Sequence, residues 1–356
     1  MEKGKRLRHN ANVNQVIVSR RSAGPNSAQM KDVAERAGVS ISTVSHVLNN
    51  TRPVAEATRS RVLQIMRQLN YYKNASGRRL ARGRSDAFGL IISDVENPFF
   101  PEVIKNFERA VVEIGFDTFL APTNYDPVHA ANAVRRMIEN KVQGVAVMTS
   151  QLEAELIDQL LTNDIPVVTL DGTKASRGRS NIRVDYSGGA KEAVDYLKQM
   201  GHERISFITG PQNRLSARTY KQAFITALQQ NNMAPARCIE GDNTIEGGRA
   251  AVHSILNDPP FPTAVICGND FIAIGAVHTL SEMNIKVPGQ VSIIGADDIS
   301  FARYSYPPLT TIRVPRDQLG KLAFEALNRL MRSKRRLGSE YVVETHLIVR
   351  GSSGPA

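Results

Sequence analysis

Short apolar runs in the C-terminal three quarters of the sequence are each followed by polar side chains that could bind a small molecule. In open α/β sheets, ligands bind beyond the carboxyl ends of the strands, so the residues that follow a strand are the ones to inspect. Taken singly, each is better explained as a helix cap or loop residue, but five clusters at five strand ends are hard to explain as caps alone. The clusters are Asn97 after LIISDVE, Asp171 after VVTL, Arg214 to Arg218 after FIT, Asn269 and Asp270 after AVICG, and Asp297 after IIGA.

Catalytic chemistry has little support in the sequence. No G-x-G-x-x-G loop follows an apolar run, and neither a Walker A loop nor a G-x-S-x-G elbow is present. The seven histidines are scattered without the spacing of metal ligands, so neither a metal site nor a cofactor is predicted. Asp297 and Asp298 could suggest acid–base chemistry, but adjacent residues at a strand end point in different directions. We therefore expect one of them to contact a ligand and the other to be a structural cap.

The elements that must position these side chains are strands and helices in alternation. From Ala87 onwards, short apolar runs alternate with amphipathic helical patterns. Continuous apolar strands between helices indicate parallel sheets that are covered on both faces. About 260 residues of this pattern are too many for one sheet, so the predicted fold class is α/β with two doubly wound lobes. The helical patterns cover 101–114, 127–140, 187–200, 214–230 and 269–283.

A helix-turn-helix precedes this region, over residues 30–50. An apolar stripe at helical spacing ends at Gly38, which suits a left-handed turn, and Ser40 can cap a second helix. This arrangement places its second helix in a DNA major groove. A third helix is predicted over 55–69. The first helix is expected to bury Val33, Ala34 and Ala37, and the second to bury Val44, Val47 and Leu48 and to present Ile41, Ser42, Ser45 and His46 outward.

The basic residues are concentrated in the N-terminal quarter. Residues 1–85 contain 17 Lys and Arg against 4 Asp and Glu, a net charge of +13, whereas the remainder contains 28 against 30, a net charge of −2. Such a distribution is typical of a polyanion-binding module attached to a neutral body. We interpret residues 1–29 as a basic disordered extension, or equally as sequence upstream of the true start, and residues 73–86 as a basic linker.

The composition also favours a cytoplasmic protein. No apolar run approaches the roughly 20 residues that a membrane helix needs, and the basic N-terminus lacks the apolar segment of a secretory signal. Cys238 and Cys267 make no disulfide framework, which fits a reducing compartment.

Several motifs can be compared with known families: DVAERAGVSISTVSHVLN, VAEATRSRV and LNY near the N-terminus, and later NPFF, GND, GADD and PPLTTIR. In these motifs, the sequence resembles the lactose-repressor (LacI/GalR) family of bacterial transcription regulators from residue 28 to about residue 350. This resemblance implies a DNA-binding headpiece over 30–72, a hinge helix within 73–86, and a two-lobed periplasmic-binding-protein-like sensor over 87–350. The implied N-lobe spans about 87–184 plus 315–336, and the implied C-lobe about 185–312 plus 338–350.

Three strands would cross between these lobes, and both lobes would contribute to a dimer. The final LIVRGSSGPA lacks the leucine-heptad tail with which some family members form tetramers, so a dimer is expected.

The resemblance implies roles for residues of the headpiece and hinge. Ser42 and His46 would hydrogen-bond base edges, and Ile41 would offer apolar contact, for instance to a thymine methyl group. Leu80 would wedge into the minor groove at the operator centre. Gly77 stands where alanine is commoner, so the hinge helix should be weaker and Gly77→Ala should tighten operator binding. Phosphate contacts, which fix register without reading sequence, are implied for Thr43, Ser45, Asn49 and Thr58.

In the sensor cleft, Asn97, Phe99 and Phe100 are similar to the NPFF motif of ribose-type binders, whose aromatic rings stack on a sugar face. Gly172, Asn243 and Val314 replace an arginine, an aromatic residue and a glutamine of family members, so ribose itself is not expected and a larger or less polar effector stays open. Hydrogen bonds to the effector are implied for Asp171, Arg218, Asn269 and Asp297, with Arg214 and Ser216 as second-rank candidates.

Together these observations predict a transcription regulator, in the first instance a repressor, that binds a palindromic operator as a dimer. Its effector, a sugar or sugar derivative in the interlobe cleft, would act through different affinities for two lobe arrangements. Induction or co-repression, the operator and the regulated genes stay open. The alternatives are an enzyme that carries a DNA-binding domain, and a DNA-binding protein whose sensor serves only to dimerise.

Overall fold

The computed structural model describes residues 28–71, 84–149, 152–257 and 259–356. The chain forms two compact units, residues 1–78 and residues 79–356. The first contains the helical headpiece and the second the two-lobed body, as the change in sequence pattern predicts. Leu80, Gly77 and the rest of the predicted hinge up to residue 83 lie outside the described residues.

Three short helices form the headpiece: α1 (Met30–Ala37), α2 (Ile41–Asn49) and α3 (Glu56–Gln68). Gly38 ends α1 with a φ of 62°, a left-handed conformation that glycine adopts without steric cost. The Ser40 hydroxyl accepts a hydrogen bond from the Thr43 backbone N–H at 3.1 Å and so caps α2. The turn and the cap therefore lie where the sequence predicts them. The buried core of the headpiece consists of Val33, Ala34, Ala37, Val44, Val47, Val62 and Tyr71.

The N-lobe of the body is built on a six-stranded parallel sheet. Its strands are β1 (Ala87–Ile92), β2 (Asp117–Pro122), β3 (Val145–Met148), β4 (Val167–Leu170), β5 (Arg179–Asp185) and β11 (Glu340–Glu344), in the order β11-β5-β4-β3-β1-β2. All residues of β1 and β3 are buried, which is why these strands read as continuous apolar runs. The helices of this lobe are α4 (Phe99–Glu113), α5 (Pro127–Glu139), α6 (Ala154–Thr162) and α11 (Arg316–Arg332).

The C-lobe repeats this plan. Its strands are β6 (Ile205–Thr209), β7 (Cys238–Glu240), β8 (Ala264–Cys267), β9 (Ser292–Asp297), β10 (Thr310–Arg313) and β12 (His346–Ile348), in the order β12-β10-β9-β8-β6-β7. All neighbours are parallel except β12, which is antiparallel to β10. The helices are α7 (Tyr186–Gln199), α8 (Leu215–Gln230), α9 (Ile245–Leu256), α10 (Asp270–Glu282) and a 3₁₀ turn (Ser300–Arg303).

The chain passes between the lobes three times: after β5, between β10 and α11, and at Thr345 between β11 and β12. The third passage differs from the expected boundary, which gave the C-lobe all of 338–350. β11 instead pairs with β5 in the N-lobe sheet, and only Thr345 separates it from β12. The sequence EYVVETHLIV contains no turn residues at this point, so the division between two sheets leaves no local signal.

Among the described residues, no helix is long and apolar enough to span a membrane.

Candidate functional site: a DNA-reading helix and an interlobe cleft

Helix α2 presents a polar face away from the headpiece core. The predicted inward residues Val44 and Val47 are buried, whereas the Ile41 side chain is 50% exposed. Ser42 is exposed and His46 half-buried, and the two lie one helical turn apart on the same face. An exposed helix face that carries hydroxyl and imidazole groups can donate to and accept from base edges.

Hydrogen bonds within the headpiece orient two of these side chains. The His46 ring nitrogen Nδ1 lies 2.8 Å from the Thr51 hydroxyl, which leaves Nε2 directed away from this contact. The Ser40 and Ser42 hydroxyl oxygens are 2.7 Å apart, so the N-cap residue also holds Ser42. Thr51, which the sequence analysis did not single out, is thus part of the predicted reading surface.

The residues that are expected to contact phosphates lie on helices α2 and α3. Thr43 and Ser45 are half-buried on α2, and Thr58 is half-buried in the first turn of α3. Asn49 is the last residue of α2. Leu80 lies outside the described residues, so its role stays a prediction.

The second candidate site is a cavity between the two lobes of the body. It has a volume of about 120 Å³ and is open to solvent. All but one of the predicted effector residues line it, and the exception is Arg218, whose guanidinium donates instead to the Gln212 carbonyl at 2.7 Å. The predicted residues in the lining are Asn97, Phe99, Phe100, Asp171, Arg214, Ser216, Asn269 and Asp297.

Asn269 is the N-cap of α10, Asn97 accepts a hydrogen bond in the turn before α4, and both also line the cavity. The Asn97 side-chain oxygen accepts from the Phe99 N–H at 2.9 Å at the start of α4. The Asn269 side-chain oxygen accepts from the Ile272 N–H at 2.8 Å, and its amide donates to the Asn243 carbonyl at 3.0 Å. Both side chains thus have a structural hydrogen bond at the start of a helix and also face the cavity.

Two carboxylates face the cavity from opposite lobes. Burial raises the pKa of Asp171 to about 6, although its carboxylate accepts a hydrogen bond from the Val184 N–H at 2.8 Å. Burial raises the pKa of Asp297 to about 7, against the opposing effect of the Arg316 charge. Asp298, by contrast, forms an ion pair with Arg350 at 2.5 Å and does not line the cavity. Asp297 therefore lines the cavity and its contact with a ligand stays a prediction, whereas Asp298 is held by an ion pair instead of the expected cap.

Aromatic residues that the sequence analysis missed complete the lining. Tyr125 follows β2, and the Arg214 guanidinium carbon lies 3.7 Å from the centre of its ring. Because Tyr125 belongs to the N-lobe and Arg214 to the C-lobe, this cation–π contact bridges the cleft. Tyr186 and Tyr220 stack at 5.3 Å between ring centroids. Applying the strand-end rule to the FDTFL run would have found Tyr125, whereas Tyr186 follows the mixed run NIRVD and Tyr220 lies within α8.

Several polar atoms in this lining have no partner within the described part of the protein. They are the Arg214 Nε, the Tyr220 hydroxyl and the Asn243 side-chain oxygen, all of them buried. A buried polar atom without a partner costs roughly 1–3 kcal/mol. A bound molecule that supplied the missing partners would recover part of this cost, so the lining is prepared for a polar ligand.

The three departures from the family pattern differ in their structural meaning. Val314 is buried in the N-lobe core and does not line the cavity. A side chain at Gly172 would place its Cβ 2.6 Å from the Thr169 hydroxyl, so an arginine there requires Thr169 to move. Asn243 does line the cavity. Only the Asn243 difference therefore changes the cavity surface directly.

In the described ranges, no group of three or more His, Cys, Asp or Glu residues could hold a metal ion.

Comparison with known proteins relates both the headpiece and the body to known families. Residues 29–74 match the bacterial regulatory proteins of the lacI family, and residues 194–353 match the periplasmic binding protein-like domain. The HTH-type transcriptional repressor PurR of Edwardsiella ictaluri is 35% identical over 329 residues, which cover 91% of this chain and 96% of that protein. PurR of Haemophilus influenzae is 36% identical over 305 residues, 84% of this chain and 90% of that protein.

Solved structures show the same architecture. The lac repressor dimer bound to operator and the anti-inducer ONPF superposes with a TM-score of 0.83 at 25% identity, over 92% of this chain and all of that chain. A LacI family regulator from Enterococcus faecalis with bound ribose superposes with a TM-score of 0.69 at 27% identity, over 76% of this chain and 99% of that chain. The homologues are transcriptional repressors and not enzymes, which removes the enzyme hypothesis. The chain belongs to the LacI/GalR family and is a DNA-binding transcriptional repressor.

Proposed function

We propose that this repressor binds a palindromic operator as a dimer, with one headpiece on each half-site. The proposal is supported by the exposed face of α2 and by the similarity to a lac repressor dimer on its operator. Ser42 and His46 read base edges, Ile41 makes apolar contact, and Thr43, Ser45, Asn49 and Thr58 hold phosphates. Leu80 enters the minor groove at the operator centre. As a DNA-binding repressor, the protein acts in the cytoplasm.

Selection of binding sites from random DNA tests this part of the proposal. The expected product is a sequence with two inverted half-sites, bound by two chains per duplex. The logarithm of the binding constant should fall steeply with the logarithm of the salt concentration, because phosphate contacts release counterions. A selected site without inverted symmetry, or a flat salt dependence, would contradict the proposal.

We further propose that a small polar ring compound binds in the cleft and sets operator affinity. The buried polar atoms without partners around one cavity carry this proposal. Asp171 and Asp297 accept hydrogen bonds from the ligand, Arg214 donates one, and Phe99 packs on its ring face. A sugar or sugar derivative meets these demands, because its adjacent hydroxyls both donate and accept.

A purine base is the second candidate. The relatives named PurR, which share about a third of their residues with this chain, favour it. The aromatic residues of the lining also suit a flat heterocycle, since aromatic rings prefer offset or edge-to-face stacking. The carboxylates would then accept from ring N–H or amino groups instead of hydroxyls.

Calorimetric titration of the full chain with ribose, glucose, cellobiose, hypoxanthine and guanine separates the candidates. We expect one chemical class to bind, and binding to fall at least tenfold in Asp297→Asn and in Arg214→Ala. Asp158→Asn, on the exposed face of α6, serves as the control for loss of a carboxylate. Repeating the operator titration with the bound compound shows whether it induces or co-represses. If none of these compounds binds, the result would favour a sensor domain that serves only to dimerise.

A further inference from the structure

Arg316 contacts both lobes next to the residues that line the cavity. It is the first residue of α11, directly after the second passage between the lobes, and its side chain is only 9% exposed. Its Nη1 donates to the Pro98 carbonyl of the N-lobe at 3.3 Å. Its Nη2 donates to the Asp298 carbonyl of the C-lobe at 2.5 Å. One guanidinium therefore binds the backbone of both walls of the cleft.

The two carbonyls belong to the two segments that present ligand-binding side chains. Pro98 lies between Asn97 and Phe99, and Asp298 follows Asp297. The planar guanidinium fixes the directions of its donors, so the separation of the two segments is restrained wherever both hydrogen bonds persist. A change in lobe closure must lengthen or replace at least one of them.

The charges around Arg316 keep it in this position. Its Nη2 also lies 2.8 Å from the Glu102 carboxylate on α4. Its Nε is buried and has no partner among the described residues. Removing one member of a buried ion pair strongly destabilises the folded state, because the other charge is left uncompensated. The guanidinium is therefore held by groups from α4 and from the segment after β9, not by solvent.

We propose that Arg316 is a positioning residue that ties the two walls of the effector cleft together and orients Asp297 for the ligand. The consequence for effector response rests on the cleft site proposed above, but the contacts themselves do not. In the bound and unbound arrangements of the lobes, the set of Arg316 hydrogen bonds differs, and this difference is part of the free energy that separates the two states. Arg316 touches no ligand in this role.

Hydrogen–deuterium exchange of the full chain, without any effector, tests the contact between the walls. The peptides that matter cover residues 96–103 and 295–302. In Arg316→Met, exchange of the backbone N–H groups should rise about tenfold or more in both peptides, because both segments lose the shared guanidinium that restrains them and open more often. Arg313→Met is the matched control, since Arg313 lies three residues earlier with a side chain that is 50% exposed. Faster exchange in one wall alone, or in neither, would overturn the proposal.

The pH dependence of thermal stability distinguishes positioning of Asp297 from general packing. Arg316 lowers the pKa of Asp297, so removal of the charge should raise that pKa beyond about 7. The stability lost in Arg316→Met relative to wild type should then grow as pH rises through 7. Asp270, Tyr186 and Tyr220 also face Asp297, and they stay unchanged in every variant.

Two further variants keep the result interpretable. Arg316→Lys keeps the positive charge but lacks the planar guanidinium that can donate to two carbonyls at once. It should therefore show the wild-type pH dependence of stability, while exchange in the two peptides stays as fast as in Arg316→Met. In an Asp297→Asn background, the effect of Arg316→Met should become independent of pH. A pH-independent loss in both backgrounds would show a purely structural role and overturn the proposed orientation of Asp297.

Discussion

The headpiece and the two-lobed body place their functional side chains by different physical means. The headpiece packs three local helices around seven buried residues, and its reading surface lies on one helix of nine residues. The body collects its cavity from strand ends that are far apart in sequence, and its largest core cluster alone contains 20 buried residues. A small core is marginally stable. Substitutions of equal chemistry should therefore have unequal functional consequences in the two regions.

The largest stability effect is expected from removing an aromatic ring in the body. Phe88 is fully buried in β1, and its ring centroid lies 5.5 Å from those of Phe116 and Phe324. Phe88→Ala should cost about 3–5 kcal/mol through lost burial and the cavity left behind. Urea unfolding followed by far-ultraviolet circular dichroism measures it. Phe301→Ala, at a side chain that is 58% exposed, should cost far less. Equal losses would contradict the packing described.

A buried carboxylate should make the stability of the body depend on pH in the direction opposite to a typical ion-paired aspartate. The pKa of Asp297 is about 7 in the folded protein and 3.8 in the reference state, because burial disfavours the charge. The contribution of Asp297 to wild-type stability should thus fall as pH rises from about 4 to about 7, with no further loss from this group above that. Asp297→Asn should remove this loss and be more stable than wild type at pH 8.

Urea titrations at pH 5, 6, 7 and 8 check this expectation. Asp158→Asn provides a carboxylate control at an exposed position. If the difference between Asp297→Asn and wild type does not grow across the window, the carboxyl group of Asp297 is not buried as described. If Asp297→Asn is more stable than wild type but binds the effector less tightly, then Asp297 serves ligand binding at a cost in the stability of the body.

In the headpiece, removing fewer atoms than Phe88→Ala removes in the body should have a larger effect on function. Val62 is fully buried where α3 meets the other two helices. Val62→Ala should cost about 1–3 kcal/mol, from two lost methyl groups and the remaining cavity. Calorimetry should show the body transition unchanged while operator affinity falls by tenfold or more. Leu63→Ala, one residue later and 36% exposed, is the control. A matching shift of the body transition would show that the two units do not unfold separately.

The contrast between the regions also explains what the sequence could predict. Helix periodicity, Gly38 and Ser40 are local signals, so the headpiece helices were predicted to within one residue or so. The strand-end rule found Asn97, Asp171, Arg214, Asn269 and Asp297 because parallel strands bring their carboxyl ends to one edge. It could not find Tyr220, which reaches the cavity from inside α8, or Arg316, whose two carbonyl partners, Pro98 and Asp298, are far apart in the chain. The passage at Thr345 was missed because no turn residue marks it.

Direct reading of bases should produce a moderate effect that leaves stability untouched. His46→Ala removes one candidate base contact and should weaken operator binding by about 1–3 kcal/mol while lowering discrimination at the contacted base pair. Thr58→Ala, at a predicted phosphate contact, should instead weaken binding to all sequences alike. Fluorescence anisotropy with the selected operator and with single-base variants measures both. A uniform effect of His46→Ala across the base variants would move His46 to the phosphate contacts.

The smallest effect is expected at Thr51, whose hydrogen bond orients the ring of His46. The Thr51 hydroxyl lies 2.8 Å from His46 Nδ1, so it fixes the plane of the imidazole before DNA arrives. Thr51→Ala frees the ring, and restoring its orientation on DNA should cost up to about 1 kcal/mol of side-chain entropy, or roughly three- to fivefold in affinity. Thr51→Ser keeps the hydroxyl and should bind like wild type. If Thr51 acts only through His46, the salt dependence should not change in either variant. In a His46→Ala background Thr51→Ala should have no effect, and a persisting loss would mean that Thr51 contacts DNA independently of His46.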